Sequence, residues 1–515
     1  MKTYEPQTTG PTRREFFEES LLAAAAFTLL PRQANGAGDA GGRVGPNQRI
    51  AIACIGVGAQ GTRVMMDFMK MADAQVVAVC DVNRESSDYS EWGEGEILGK
   101  ERRLLNDSGW GSDWKGPTCG REPARRLVDA YYRRVRNLSG YTGCAAYNDF
   151  RELLEKEKNL DAVVVCTPDH WHAQISISAM RLGKHVFCQK PMTRTIREAR
   201  LMAQVAKETK VATQVAVMNE ASKATRLLTE WVAAEVIGQV REVHNWSQRP
   251  YWPQGIERPK ASEPVPEGLD WDLWLGPAPA RPYSHLYLPF VWRGWFDFGV
   301  GAIGDMGNYS FDTMFRALKL SSPISVDASS TPRFPETYPV GSLIHWEFPA
   351  REDRSPVAIH WYDGDLRPPR PAELAEDEHM SEVEDGEGML LVGDRGKILC
   401  GFEGQNARLI PTSRMKEFKP PPDDLPKSPG AYQEWLDAIR GGAPPRANFE
   451  FEQKVVETVL LGSVAVRMGT KLEWDAENER IVRLAEGRAG DLETANAQIN
   501  PPRRTPWELE QGSIG

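Results

Sequence analysis

A glycine-rich turn between a strand-like run and a helix-like run constrains the fold of this chain more than any other feature. An apolar run at 49–56 is typical of a strand buried on both faces of a parallel sheet. The pattern G-x-G-x-x-G follows at 56–61, and a helix-like stretch begins at Thr62. Asp81 ends the next strand-like run, 20 residues after Gly61. This order and spacing predict a Rossmann domain that binds a dinucleotide.

The same turn predicts most of the cofactor contacts. Gly56 permits the tight turn, and Gly58 lets the backbone approach the pyrophosphate at the helix N-terminus. Asp81 is expected to bind the ribose hydroxyls and to repel a 2′-phosphate, so NAD is favoured over NADP. Arg84 is close by in the sequence and could bind a 2′-phosphate, so NADP remains an alternative cofactor. The cofactor-binding residues predicted here are Gly56, Gly58, Ala59, Gln60, Gly61 and Asp81.

Strand-like and helix-like runs continue to alternate through the first part of the chain, which predicts a doubly wound parallel sheet. Residues 83–147 interrupt this alternation with glycine, tryptophan and charged residues. They are predicted to be an insertion that caps a site or contacts another chain. After about residue 215 the runs alternate like half-exposed strands, which predicts an α+β domain with a largely antiparallel, open sheet. The predicted domains are 1–47 (signal and linker), 48–215 (Rossmann), 216–486 (α+β) and 487–515 (tail).

Two later strands of the Rossmann part end in polar residues at the edge where open α/β sheets bind ligands. Thr167, Pro168 and His172 follow one strand, and Gln189 and Lys190 follow the next. All five are predicted cofactor contacts, with Lys190 at the nicotinamide end. A lysine beside a cationic ring has its charged form disfavoured and can accept a proton from a substrate hydroxyl. The alternative is a surface lysine without a catalytic role.

The N-terminal residues are typical of a targeting signal. Arg13 and Arg14 precede an apolar run at 21–30, which is shorter than the about 20 residues that a membrane span needs. A twin arginine before a short apolar run predicts a Tat signal, and hence a periplasmic or other extracytoplasmic protein without a membrane span in its mature form. The alternative is a disordered tail that is not cleaved.

Charge and cysteine usage exclude several classes of partner. A net charge of −10 argues against nucleic acid and anionic membranes, because both require a basic face. The seven cysteines contain no CxxC pair, so neither a disulfide nor a metal-binding role is predicted for them. His170 and His172 lack a third ligand within sequence range, so no metal site is predicted.

The chain resembles the glucose–fructose oxidoreductase / inositol dehydrogenase (Gfo/Idh/MocA) family. The resemblance rests on an ordered set of motifs: G-x-G-x-x-G at 56–61, Thr-Pro-x-x-x-His at 167–172, Gly-Lys-His-Val at 183–186, Lys-Pro at 190–191 and Gly-Ala-Ile-Gly-Asp-Met-Gly at 301–307. It is strong over about residues 48–320 and loose beyond them. The phrases at 271–276 and 292–295 resemble an exported branch common in planctomycete-like bacteria.

This resemblance implies a carbohydrate substrate, a homo-oligomer formed through the open sheet, and a catalytic set of Lys190, Asp305 and position 309. The chain departs from the family where Tyr309 replaces a histidine and Gln189 replaces a glutamate. The expected substrate contacts are Trp292 and Arg293, from the branch motif, and Asp312, on the helical face of Asp305 and Tyr309. Asp312 is open to a second interpretation as a brace of its helix.

Three functions remain open at this stage. The first is an NAD-dependent oxidoreductase that acts on a hydroxyl of a sugar, cyclitol or derivative. The second is a glycoside-cleaving enzyme that oxidises a sugar transiently and retains its NAD, which export favours because free NAD is scarce outside the cytoplasm. The third is a non-catalytic NAD-binding relative, which Tyr309 suggests.

Overall fold

Short strands with apolar residues on both faces form the first of two sheets in the computed structural model. The structure describes residues 49–509 except 219–220, 352–353, 382–385, 486 and 488, so the predicted export signal and linker lie outside the described residues. The six strands are parallel in the order β3-β2-β1-β4-β5-β6, which confirms the predicted Rossmann architecture. They are β1 (Ile50–Ile55), β2 (Ala74–Cys80), β3 (Ala145–Tyr147), β4 (Ala162–Val165), β5 (His185–Cys188) and β6 (Thr213–Val215).

Most helices of this part begin after a capping side chain or a glycine. Thr195 forms a capping box with Glu198, and Asp149 caps the helix that follows it. The helices are α1 (Ala59–Lys70), α2 (Glu96–Leu105), α3 (Arg121–Ala130), α4 (Phe150–Lys156), α5 (Asp169–Arg181) and α6 (Ile196–Thr209).

The predicted insertion is largely helical and ends inside the sheet. It contains α2, α3 and a π-helical turn at Tyr131–Val135, and its last residues form β3, which pairs with β2. The hydroxyl of Tyr132, from the π-helical turn, accepts a hydrogen bond from the backbone of Val76 at 2.9 Å. This contact attaches the π-helical turn of the insertion to β2.

The second sheet has nine strands in the order β13-β12-β11-β7-β10-β9-β8-β14-β15. Every pair is antiparallel except β7 and β10, which confirms the predicted largely antiparallel sheet. The strands are β7 (Val240–Trp246), β8 (Ser325–Ser330), β9 (Ser342–Phe348), β10 (Val357–Tyr362), β11 (Gly388–Gly393), β12 (Gly396–Cys400), β13 (Arg408–Ile410), β14 (Leu472–Asp475) and β15 (Arg480–Leu484). The remaining helices are α7 (Lys223–Ala233), α8 (Trp271–Leu275), α9 (Gly301–Leu318), α10 (Ala431–Ile439), α11 (Phe449–Met468) and α12 (Ala489–Ala497).

Helix α11 joins the two sheets into one compact unit. It packs against α6 of the Rossmann part and against α9, β8 and β9 of the second part. Glu457 of α11 is almost fully buried and forms a bidentate ion pair with Arg200 of α6, at 2.6 and 2.8 Å. The chain end also returns to the Rossmann part, where Trp507 packs on Trp171 with ring centroids 4.8 Å apart. None of the helices in the described part of the chain is both long and apolar enough to cross a membrane.

The Arg200–Glu457 pair gives a test of this junction. Glu457→Gln removes the carboxylate and leaves the Arg200 guanidinium partly buried without its main counter-charge. Because breaking a buried pair costs about 3–5 kcal/mol, the free energy of unfolding in urea should fall by that amount. Arg134→Ala, which removes an exposed pair with Asp107, is the control and should cost less than about 1 kcal/mol. Equal losses of unfolding free energy in the two variants would contradict a structural role for the Arg200–Glu457 pair.

Candidate functional site

The glycine-rich turn has a backbone that only glycine fits. Gly56 has φ of +83°, and a Cβ there would lie 2.6 Å from the backbone of Cys166 and Thr167. A Cβ on Gly61 would lie 1.9 Å from the carbonyl oxygen of Gly56, so α1 packs directly on the turn. Helix α1 begins at Ala59 with no side-chain cap and no acidic residue in its first turn. Its N-terminal N–H groups therefore remain suited to an anion such as a pyrophosphate.

Asp81 lies at the carboxyl end of β2 and binds the turn itself. Its two carboxylate oxygens accept the backbone N–H groups of Val57 and Asn83, each at 2.8 Å. Burial raises the pKa of Asp81 to about 6, although these hydrogen bonds and Arg121 oppose the rise. Asp81 is therefore ionised at neutral pH and protonated in mild acid. Arg84, the residue that left NADP as an alternative cofactor, is exposed.

The strand ends β4 and β5 form the rest of the predicted cofactor edge. The hydroxyl of Thr167 is buried and has no hydrogen-bond partner among the described residues, which fits a ligand group at this place. The ring nitrogens of His172 lie 2.7 Å from the carbonyl oxygen of Pro191 and 2.9 Å from that of Thr167. His172 therefore ties the two strand ends together, and its contribution to a cofactor site is to position them. Gln189 is buried beside them.

Tyr89, from the insertion, lies against the glycine-rich turn. A Cβ on Gly58 would be 2.7 Å from the Tyr89 ring, so the ring covers the same glycine that is expected to approach the dinucleotide. Sequence reasoning missed this residue, because nothing in its neighbourhood marks a return to the turn. The insertion thus reaches the predicted cofactor site, as its position in the sequence suggested.

Lys190 and Asp305 meet in the space between the two parts of the chain. The Lys190 Nζ donates to a carboxylate oxygen of Asp305 at 3.0 Å, and Arg293 Nε donates to the same oxygen at 3.0 Å. The side chains of Lys190 and Asp305 are each only 11% exposed. Lys190 comes from the end of β5, whereas Asp305 comes from the first turns of α9. The structure therefore brings together the two residues that the resemblance implied were catalytic.

This ion pair sets the protonation of both groups. Burial lowers the pKa of Lys190, but the Asp305 carboxylate and Tyr309 together outweigh it, so the net pKa lies above the ordinary value. Burial raises the pKa of Asp305, but Lys190 and Arg293 hold it well below its usual range. Both groups are charged at neutral pH in the protein alone.

Tyr309 lies one turn beyond Asp305 on α9, and its ring centroid is 4.7 Å from the Lys190 Nζ. Burial raises the pKa of Tyr309, and Lys190 only partly opposes this. The phenol therefore keeps its proton at neutral pH and can donate a hydrogen bond. Tyr309 stands beside Lys190 where the resemblance implied a histidine, but it starts as a proton donor and not as a base.

Two acidic residues near this pair were not predicted. Burial raises the pKa of Asp169 well above its ordinary value, against the opposing charges of Arg293 and Lys190. Burial also raises the pKa of Glu403 to about 7, and its charge acts on Tyr309. Asp169 lies within the Thr-Pro-x-x-x-His motif, which could have revealed it. Glu403 follows β12 in a loop that carries no recognisable signal.

The predicted substrate contacts divide into two groups. Arg293 binds Asp305 directly, and Trp292 is partly exposed, with its ring centroid 4.4 Å from the Arg293 guanidinium carbon. Asp312 is fully buried and ion-paired with Arg316 at 2.6 Å, so it braces its helix and is not open to a substrate. Of the other tryptophans in this region, Trp246 and Trp295 are buried in the core.

Comparisons with known proteins agree with the two-part architecture. Residues 119–217 match a family model described as "Oxidoreductase family, NAD-binding Rossmann fold", and residues 222–347 match its "C-terminal alpha/beta domain". The first match begins after the glycine-rich turn. The WlbA dehydrogenase from Bordetella pertussis, solved with NADH and UDP-GlcNAcA, has a TM-score of 0.52 at 15% identity, covering 83% of this chain and 99% of that one. This likeness shows a shared fold.

Two curated relatives match shorter segments. Levoglucosan dehydrogenase from Pseudarthrobacter phenanthrenivorans is 29% identical over 21% of this chain and 28% of its own length. A protein from a Shewanella species named glycosyl hydrolase family 109 protein 2 is 26% identical over 37% of this chain and 36% of its own length. The chain thus spans about a third of the length of the curated relatives that it matches.

The pKa of Asp81 predicts how dinucleotide affinity depends on pH. The ribose hydroxyls donate to the carboxylate form, so affinity should be complete above the pKa of about 6 and fall as the pH drops through it. The dissociation constant of NAD would be measured by calorimetry from about pH 8 to about pH 5. Below the pKa of Asp81 it should rise by at most about tenfold per pH unit. In Asp81→Asn the affinity should be weak, with a flat profile. A wild-type affinity that strengthens in acid would contradict the role of Asp81.

Proposed function

Because the chain belongs to the Gfo/Idh/MocA oxidoreductase family, we propose that it is an NAD-dependent oxidoreductase that transfers a hydride from a hydroxyl-bearing carbon of a sugar, cyclitol or derivative. The observation that carries this proposal is the ion pair of Lys190 and Asp305, which lies at the carboxyl end of β5. Ligands of open α/β sheets bind at this edge, so the pair lies where a substrate and a nicotinamide would meet.

The residues that would hold the cofactor are those of the glycine-rich turn, Asp81 and the strand ends. The uncapped N-terminus of α1 suits the pyrophosphate, Asp81 suits the ribose, and the unpartnered Thr167 hydroxyl suits a polar group of the ligand. Bound NAD would supply the hydride acceptor, and its cationic ring would disfavour the charged form of Lys190.

Lys190 is the proton-transfer residue of this proposal. As an ammonium it can donate a proton to a carbonyl oxygen when a ketone is reduced, and after losing that proton it can accept one from a hydroxyl when an alcohol is oxidised. Asp305 orients the Lys190 Nζ through the 3.0 Å contact and has a second carboxylate oxygen to accept a hydrogen bond from a sugar hydroxyl. Glu403, with a pKa of about 7, can exchange a proton near neutral pH.

Arg293 and Trp292 provide the substrate side of the cleft. Arg293 shares the Asp305 oxygen with Lys190, and its guanidinium lies close to the aromatic rings of Trp292 and Phe290. A partly exposed indole can stack on the apolar face of a sugar ring. These two residues are therefore the proposed substrate contacts.

A second candidate function is a glycoside-cleaving enzyme that oxidises a sugar transiently, eliminates the aglycone, reduces the product and retains its NAD. It is supported by the similarity to proteins named for glycosyl hydrolase family 109 and by Tyr309, whose raised pKa keeps a proton ready for a leaving group. The two candidates differ in the fate of the cofactor. Protein purified without added NAD and then denatured should release about one equivalent of NAD per chain in the second case and little in the first.

Two further properties belong to this proposal. The twin-arginine segment would export the folded protein, and Arg13→Lys with Arg14→Lys would then retain it in the cytoplasm. The protein would also form a homo-oligomer through the nine-stranded sheet.

Substitution of Lys190 tests the proposed chemistry. A positioned acid or base contributes about 10²–10⁴-fold, so Lys190→Ala should lose at least about 100-fold in kcat on a sugar that the wild type oxidises. Binding of NAD should persist, because Lys190 is not needed for the turn or for Asp81. Lys207→Ala, at an exposed position on α6, is the matched control and should retain full activity.

Tyr309→Phe refines the same test. A loss of kcat with little change in KM would assign proton donation to the phenol, and unchanged kinetics would leave proton transfer to Lys190 alone. Full turnover by Lys190→Ala on a true substrate would contradict the proposed mechanism.

A further inference from the structure

Three of the eight histidines of the chain lie side by side on the second sheet. His244 of β7 is opposite His360 of β10, and His360 is opposite His345 of β9, so the three occupy one row across adjacent strands. The imidazoles of His244 and His360 are stacked with centroids 4.7 Å apart, and those of His345 and His360 are 4.5 Å apart. We call these three residues the histidine row.

The histidine row lies on the opposite face of the sheet from the core helices. Side chains alternate along a strand, and the neighbours Val243 and Ile359 are fully buried in the main core, which includes residues of α9 and α11. The histidines therefore point away from Asp305 and Tyr309, which lie on α9. Their side chains remain partly open, with His244 exposed by 15% and His345 by 26%. The row is thus separate from the proposed catalytic pair.

Carboxylate and imidazole donor atoms converge at one end of the row. One ligand atom each from Glu242, His244 and His360 lies within 4.8 Å of the others. The Nε2 of His244 is 3.5 Å from a carboxylate oxygen of Glu242, while its Nδ1 is 3.0 Å from the Tyr362 hydroxyl. With Nδ1–H donating to Tyr362, the Nε2 lone pair of His244 faces Glu242. An outer group such as the Tyr362 hydroxyl, which fixes the tautomer of a ligand histidine, is typical of metal sites.

His360 is arranged in the same way by a different neighbour. Its Nδ1 lies 3.2 Å from the Nδ1 of His345. When the His360 Nδ1–H donates to His345, the His360 Nε2 has a lone pair that can bind another group.

We propose that Glu242, His244 and His360 bind a divalent cation of the zinc class, with water completing the coordination on the open side of the sheet. Two imidazoles and one carboxylate are a known donor set for Zn²⁺, whose ligand atoms in a tetrahedral site lie roughly 3.3 Å apart. The His244 Nε2 and a Glu242 carboxylate oxygen are 3.5 Å apart, and the three donor atoms all lie within 4.8 Å of one another. Glu242, whose side chain is 51% exposed, can approach by a rotamer change, and the two stacked imidazoles must tilt toward a common ion.

Sequence spacing did not reveal this site. The ligands come from strands that are distant in the chain and adjacent in the sheet, so only the register of β7 and β10 brings them together. The expectation of no metal rested on local Cys and His spacing and did not test such a set. The proposal is independent of the proposed oxidoreductase activity, and its test uses binding and not turnover.

The test measures metal binding by the full chain without a polyhistidine tag, after removal of metals with a chelator. Calorimetric titration with Zn²⁺ should give about one equivalent per chain, with a dissociation constant of about 1 μM or tighter. Titration with Co²⁺ should give the visible absorption of a four-coordinate site. Outer groups that orient ligands typically account for 10–100-fold in affinity, so Tyr362→Phe should weaken binding within about that range.

Variants of the ligands provide the decisive comparison. His360→Gln and Glu242→Gln should each weaken Zn²⁺ binding by at least about 100-fold, since a lost ligand costs more than a lost outer group. Because Glu242 is exposed, Glu242→Gln should fold normally. It therefore tests the site even if His360→Gln fails to fold. The matched control is His285→Gln, which removes an exposed histidine whose Nδ1 lies 2.9 Å from Glu263. Binding below half an equivalent, or equal affinity in the Glu242→Gln variant and the wild type, would overturn the proposal.

Discussion

The ion pair of Lys190 and Asp305 depends on both sheets at once. Lys190 follows the end of β5 in the parallel sheet, and Asp305 lies in the second turn of α9, which packs on the antiparallel sheet through Phe311 and Trp346. The 3.0 Å contact therefore exists only when the two parts are correctly joined. Neither charge could be left alone at 11% exposure, because an unpaired buried charge is costly. The chain therefore supports the pair from both sides, with Arg293 on the same carboxylate oxygen and with helix α11 packed against both parts.

This arrangement links the stability of the fold to its chemistry. The same electrostatic attraction that stabilises the cleft raises the pKa of Lys190 and lowers that of Asp305, so both are charged before any ligand arrives. A cationic ring bound at the strand end would oppose the charge on Lys190, whereas the neutral Tyr309 phenol beside it would not. The replacement of the expected histidine by Tyr309 thus alters the starting protonation of the site while the Lys190–Asp305 contact remains. Another polar residue of the motifs, His172, acts by joining strand ends.

The sequence predicted those features that local patterns encode. The buried strands, the glycine-rich turn and Asp81 are contiguous or at fixed spacing, and the structure contains the predicted parallel sheet. The proximity of Lys190 and Asp305 was implied only by family resemblance, because no local rule relates residues on different sheets. Tyr89, Glu403 and the histidine row escaped prediction for the same reason, since each depends on a long-range return of the chain or on strand register. For Asp312, helical spacing left open a substrate contact and a brace of the helix, and only its pairing with Arg316 in the structure favours the brace.

The central claim is that Lys190 and Asp305 act as one unit in proton transfer, and a double-mutant cycle tests it most directly. The rate of NAD reduction in a single turnover would be measured for the wild type, Lys190→Ala, Asp305→Asn and the double variant, on one sugar and at saturating cofactor. Residues that act together give strongly non-additive losses. The account predicts that the double variant is about as slow as the slower single variant. Losses that multiply, as for two independent residues, would contradict it.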